Sequence, residues 1–153
     1  MPNGWLNVTH FRQETNYSCV AACVRMVLAH YGRIESEPDL CQLLGTTPFY
    51  GTRADAVRRV EIMGFEVENV STVPELQAAL AVNAPPIVFL RTGQLDYWSA
   101  DAAHAVVLTG LEATAAFLND PFFDAFPQQP SLASFQQAWA MTGHLASVIH
   151  VRS

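Results

Sequence analysis

Residues 13–23 read Gln-Glu-Thr-Asn-Tyr-Ser-Cys-Val-Ala-Ala-Cys, and at Cys19 this polar approach gives way to apolar residues that recur at helical spacing until Gly32 ends the pattern. No other feature constrains the chain as strongly. Asn16 and Ser18 are both residue types suited to cap a helix, so the switch predicts a helix start with Cys19 in its first turn. Unpaired backbone N–H groups and the positive end of the helix dipole favour a thiolate over a thiol there, which makes the sulfur a usable nucleophile. Cys23, one turn deeper on the core side, gains less from both. The competing reading of Cys19 is a small buried hydrophobe, the usual fate of a free cysteine.

A thiolate nucleophile needs a base and a group that orients the base. Residues 104–110 (His-Ala-Val-Val-Leu-Thr-Gly) and 114–120 (Thr-Ala-Ala-Phe-Leu-Asn-Asp) read as the strands of a hairpin joined by Leu111-Glu112-Ala113. With Glu112 at the turn centre, His104 and Asp120 face each other, and opposed residues have Cβ atoms about 5 Å apart. The carboxylate can then accept a hydrogen bond from the imidazole, while Asn119 points the other way. A bulge in so short a turn would shift this register by one. His30 shares the Cys19 helix but lies eleven residues along it, roughly 16 Å away at about 1.5 Å per residue. His10, His144 and His150 have no carboxylate supplied by an obvious strand partner. The convergence of a helix-start cysteine, a strand-start histidine and a cross-strand aspartate makes Cys19, His104 and Asp120 the expected catalytic triad.

The ordered set of motifs resembles the bacteriocin-processing, double-glycine leader peptidase family, a papain-like group of cysteine peptidases. The resemblance is carried by Gln13 six residues before Cys19, by Cys19-Val20-Ala21-Ala22-Cys23 and the following helix to Tyr31-Gly32, and by Gly51-Thr52 with Met63-Gly64-Phe65. It continues through Pro86-Ile87-Val88-Phe89, His104-Ala105-Val106-Val107 and Asn119-Asp120-Pro121, nearly the whole chain. The resemblance implies a papain-like fold, Cys19 as nucleophile, His104 as base, Asp120 as orienting acid and Gln13 as side-chain donor of the oxyanion hole. Physical chemistry agrees for Gln13, whose amide can donate to a developing oxyanion, with the Cys19 backbone N–H as the natural second donor. Ser18 and Val20 flank the cysteine where the family commonly has an acidic residue and a glycine. Family members are often the N-terminal part of an ABC transporter, and this sequence is expected to be a stand-alone member.

The 153 residues are expected to form a single domain, 1–153, around one core. A net charge of −6 and eight scattered Lys and Arg residues argue against nucleic-acid binding, which needs clustered cations. Only 14% of residues are charged against 50% hydrophobic, a light surface charge that leaves room for an apolar patch facing a partner. Residues 1–6 lack the basic and apolar regions of a signal peptide, and no apolar run is long enough to span a membrane. Three cysteines without metal-type spacing suit a reducing compartment, so a cytoplasmic location is expected. A zinc site on Cys19, Cys23 and His104 is conceivable, but a cysteine pair spaced i, i+4 is not a usual zinc knuckle.

Along the rest of the chain, Ser36 and Pro38 start a second helix ended by Gly45, with Cys41 read as core, and Thr52 is expected to cap a third running to Met63. Residues 65–70 alternate as a strand, Pro74 begins a fourth helix, and the run 87–90 reads as a strand buried on both faces. Phe49 and Tyr50 lie in a turn-rich loop that either lines a cleft or packs on the core, and residues 91–103 form a polar, aromatic segment placed to wall a cleft. Ser131 caps a last helix, and residues 145–151 make a closing strand. Helices first and strands later describe an α+β domain, N-terminal helices packed on a mostly antiparallel sheet, with the site where the first helix meets the sheet.

The expected function is hydrolysis of a peptide bond in a peptide or protein substrate, with no cofactor; nothing in the sequence sets the oligomeric state. Deamidation or isopeptide cleavage would use the same triad. From a different class, a non-catalytic peptide-binding module of the same fold would keep the cleft without needing the thiol.

Overall fold

In the computed structural model, which describes residues 4–152, α1 (Cys19–His30) ends at Gly32, whose φ of 83° only glycine adopts readily. The Gly32 N–H bonds to Ala29 O and the Arg33 N–H to Leu28 O, each at 2.9 Å, which satisfies two of the last helical carbonyls. Residues 1–3, part of the signal-peptide reading above, lie outside the described residues. α2 (Glu37–Leu44) is capped as expected, the Asp39 N–H donating to Ser36 Oγ at 3.2 Å.

The third helical segment departs from expectation. It is a 3-10 run, Ala54–Met63, entered from Arg53, and the Thr52 hydroxyl pairs with that of Thr46 instead of capping it. Ala54, Val57, Val60 and Met63 recur every third residue and all pack on the core, a spacing that suits three residues per turn.

The remaining elements are β1 (Phe65–Val70), α3 (Val73–Ala81), β2 (Ile87–Arg91), β3 (Ala103–Leu111), β4 (Ala116–Asn119), α4 (Leu132–Ala140) and β5 (Ala146–Val151). The strands form one sheet in the order β1-β5-β2-β3-β4, every pair antiparallel. Ile87 and Phe89 of β2 join the core beneath α1, α2 and the 3-10 run, whereas Val88 and Leu90 join the core beneath α3 and α4. The apolar run of β2 is therefore buried because helices cover both faces of the sheet. This is the expected α+β architecture. Cys23 is fully buried; Cys41, expected in the core, is only half-buried against it, because it lies on the outer side of the short α2.

The β3–β4 hairpin is offset from the expected register. Its turn spans four residues, with the Glu112 N–H on Ala115 O at 2.9 Å and Leu111 facing Ala116. The later turn moves the pairing by three residues, and a bulge between Leu108 and Gly110 takes one back, so that Val107 faces Asn119. Carried one step further, this register sets Val106, not His104, opposite Asp120. Side chains alternate with a period of two, so a net offset of two leaves His104 and Asp120 on the same face.

Candidate active site

Cys19 is the first residue of α1 and is partly exposed. Ser18 occupies the cap position, but its Oγ makes no capping bond; it accepts from the Thr15 hydroxyl at 2.7 Å and donates to Glu37 Oε2 at 3.0 Å. The start of α1 is thus held by a buried polar network instead of a conventional side-chain cap, and Asn16 does not serve as one. The first backbone N–H groups of the helix remain free to act as donors.

His104, the second residue of β3, is 8% exposed, and Asp120, just past β4, is wholly buried. Their contact is a hydrogen bond of 2.7 Å between His104 Nε2 and Asp120 Oδ1. The same carboxylate accepts from the Phe122 N–H at 3.0 Å, the Tyr97 hydroxyl at 2.7 Å and the Trp98 indole N–H at 2.9 Å. Burial alone would raise the Asp120 pKa, but the bonds from His104, Trp98 and the Phe122 N–H outweigh it and hold the carboxyl below its ordinary range. Burial likewise disfavours a charged His104, yet the bond to Asp120, its charge and the nearby Cys19 reverse this and raise the imidazole to about 9. With Nε2 engaged by Asp120, Nδ1 is the ring nitrogen that this bond leaves free. Trp98 packs edge-on to the imidazole at 5.0 Å between ring centres and holds the ring plane.

Gln13 lies across a cleft of about 510 Å³ that Cys19 and His104 also line. Its N–H bonds to Pro121 O at 2.7 Å, which ties the Gln13 segment to the residue after Asp120. Its side-chain Nε2 donates to Thr15 O at 2.7 Å, which orients the amide and leaves one N–H uncommitted. The cleft is walled by Trp98 and Phe122 on the His104 side, and Phe49 and Tyr50, each 91% exposed, stand on its rim rather than packing on the core. The structure therefore brings Cys19, His104 and Gln13 around one cleft, with Asp120 buried behind His104.

The other sequence candidates lie elsewhere. Cys23 is buried, and desolvation pushes its thiol well above the usual range. His10 bonds to Phe123 O, and His30 to Asn83 on the surface. His150 does have a carboxylate partner, Glu68 at 3.0 Å, but at the β1 edge of the sheet, away from the cleft. Among the described residues, no cluster of His, Cys, Asp or Glu is placed to hold a metal, and no helix is long and apolar enough to cross a membrane.

Tyr97 and Trp98 are expected only as members of the 91–103 cleft wall, not as donors to Asp120, and Glu37 is not expected in the site at all. The first two had a signal: a buried Tyr or Trp needs a partner for its O–H or N–H, and the segment holding both leads straight to His104. Glu37 carried none, because an acidic residue opening a helix reads as an ordinary first-turn charge.

Several solved structures share this fold. A C39-like peptidase of Bacillus anthracis superposes with a TM-score of 0.80 at 17% identity, covering 96% of each chain. The peptidase domain of Streptococcus ComA, a bifunctional ABC transporter of a quorum-sensing pathway, gives 0.77 at 21% identity over 95% of this chain and 100% of that one. A double-glycine-motif protease from an AMS/PCAT transporter, solved with its leader peptide, gives 0.74 at 20% identity over 97% and 94%. No curated protein sequence matches significantly. The model of the Peptidase C39 like family matches residues 5–147, nearly the whole chain, and the chain belongs to that peptidase family.

Proposed function

We propose that this chain is a cysteine peptidase working through Cys19, His104, Asp120 and Gln13. The observation that carries the reading is the 2.7 Å bond from His104 Nε2 to a fully buried Asp120, on a ring that lines the same cleft as Cys19. Asp120 orients the imidazole and stabilises its cation. At neutral pH a ring raised to about 9 holds its proton, the state that pairs with a thiolate. The Cys19 sulfur attacks the peptide carbonyl, and its electrons move onto the oxygen. The uncommitted N–H of Gln13 and the Cys19 backbone N–H receive that oxyanion. His104 then donates its proton to the leaving amine, and water, deprotonated by the same ring, releases the acyl group from sulfur.

The likeness to a double-glycine protease solved with its leader peptide supports a peptide with a Gly-Gly pair before the scissile bond as the first substrate to try. Three free cysteines suit action in a reducing compartment such as the cytoplasm.

The test follows iodoacetamide alkylation against pH, site by site, on the folded protein and on His104→Ala, beside cleavage of Gly-Gly and Ala-Ala peptides. Cys19 should be alkylated ahead of Cys23 and Cys41, and slow when His104 is removed. A Cys19→Ala variant should lose turnover entirely. If that variant retains the protein's activity, or Cys19 reacts no faster than Cys41, the nucleophile assignment fails and the peptide-binding module becomes the reading to pursue. Turnover of a glutamine side-chain amide or an isopeptide in preference to both peptides would instead select deamidation or isopeptide cleavage.

A further inference from the structure

Glu37 is an unusual residue for its position. As the first residue of α2 it could complement the helix dipole from the surface, yet it is only 1% exposed and its carboxylate turns away from α2. One oxygen, Oε2, accepts from the Glu14 backbone N–H at 2.8 Å and from Ser18 Oγ at 3.0 Å. The other, Oε1, is buried without a protein partner. A buried carboxylate is costly unless its bonds repay the lost hydration. Desolvation raises the Glu37 pKa, and its bonds to Glu14 and Ser18 act against that shift.

Those two bonds land on either side of Thr15, in the segment that separates Gln13 from Cys19. Ser18 Oγ, donating to Glu37, is left to accept from both the N–H and the hydroxyl of Thr15, at 3.2 and 2.7 Å. Thr15 O in turn accepts from Gln13 Nε2 at 2.7 Å. The chain of bonds thus runs Glu37, Ser18, Thr15, Gln13, and ends on a cleft-lining amide with one N–H left uncommitted. Gln13 Oε1 is itself buried without a partner, so the Thr15 carbonyl is the contact that sets which way this amide points.

We propose that Glu37 is a positioning residue of the active site, fixing the Thr15 carbonyl through Glu14 and Ser18 and thereby aiming the Gln13 amide at the oxyanion. It touches neither substrate nor sulfur, and it acts on the acyl-transfer transition state through Gln13. The proposal rests on the reading of Cys19 and Gln13 given above.

The test compares Glu37→Ala and Glu37→Gln with wild type by three readouts: kcat and KM on a fluorogenic Gly-Gly peptide, inhibition by a peptide glycinal, and the iodoacetamide rate at Cys19. The aldehyde adds to the sulfur and forms an oxyanion-like centre, whereas alkylation forms none. Misaiming one oxyanion donor should cost about tenfold or more. Glu37→Ala is expected to lose that factor in kcat and in glycinal affinity, with KM and the Cys19 alkylation rate changed less than about threefold. Glu37→Gln, which keeps an acceptor oxygen at the same place, should recover most of it. If Glu37→Ala does not fold, Ser18→Ala breaks the same chain at its second link and should show the same split. A folded variant of either kind with wild-type kcat and glycinal affinity overturns the role of Glu37 while the peptidase reading stands. A wild-type protein that neither cleaves the peptide nor binds the glycinal overturns both.

Discussion

Asp120 lies one residue beyond the last ladder position of β4, and its Oδ1 is nonetheless 2.7 Å from Nε2 of His104 on the adjacent strand. The pair meets diagonally, with Asp120 wholly buried and His104 exposed only on its cleft side. Removing one partner of such a buried pair leaves the other stranded, typically at a cost of about 3–5 kcal/mol.

Asp120→Asn should therefore reduce kcat by roughly 10²-fold or more, because an amide cannot stabilise the imidazolium and holds the wrong tautomer. The melting temperature should fall as well. Turnover and differential scanning calorimetry on the same preparation check both, and unchanged kcat would remove Asp120 from the mechanism.

The pH dependence follows from His104. Its folded-state pKa of about 9 lies above its ordinary value of 6.5, so protonation of this group favours the folded protein. The stabilisation, about 3 kcal/mol at most by linkage, is fully present below about pH 6.5 and is lost as the pH rises through about 9. Asp120, held below its usual range, works at the other end: its contribution is present above the ordinary carboxyl range and lost on strong acidification. Urea unfolding from pH 6 to pH 10 should show stability declining across that window in wild type, and a flatter profile in His104→Gln.

Tyr97 and Trp98 both donate to Asp120 Oδ2, and burial together with the Asp120 charge keeps the Tyr97 phenol protonated. Tyr97→Phe removes one donor while preserving shape. It should cost roughly 1–2 kcal/mol of stability. The less solvated carboxylate should then hold the imidazolium harder, moving the alkaline limb of kcat/KM upward. An NMR titration of His104 showing a downward shift would contradict this.

Gly110 sits at the bulge that sets the hairpin register, and a Cβ there would come within 2.5 Å of Gly4 O and 2.9 Å of the Trp5 Cβ. Backbone cannot yield as a flexible side chain does. Gly110→Ala should displace residues 4–6, which bond to β3 through the Leu6 N–H and Thr109 O at 2.7 Å, and destabilise the fold by about 1–3 kcal/mol. Chemical denaturation and limited proteolysis at the N-terminus measure both effects.

Local signals in the chain were sufficient for most of the elements and for nominating Cys19, His104, Asp120 and Gln13 as candidates that lie near one another. The helix at Cys19, the caps at Ser36 and Ser131, the both-face burial of β2 and the shared cleft of Cys19, His104 and Gln13 follow from periodicity, residue type and motif order. The relation of His104 to Asp120 also survived an error in register, since a shift of two residues preserves the face.

What only the tertiary structure decided is how those residues are held. The turn length and bulge of the hairpin, the 3-10 winding of Ala54–Met63 and the displacement of the Ser18 cap by Glu37 depend on contacts between segments far apart in sequence. So do the donors that Tyr97 and Trp98 bring to Asp120, twenty-three and twenty-two residues away. Propensity and spacing act over a few residues, whereas the partner of a buried polar group is chosen by packing, because only packing determines which groups lose water together.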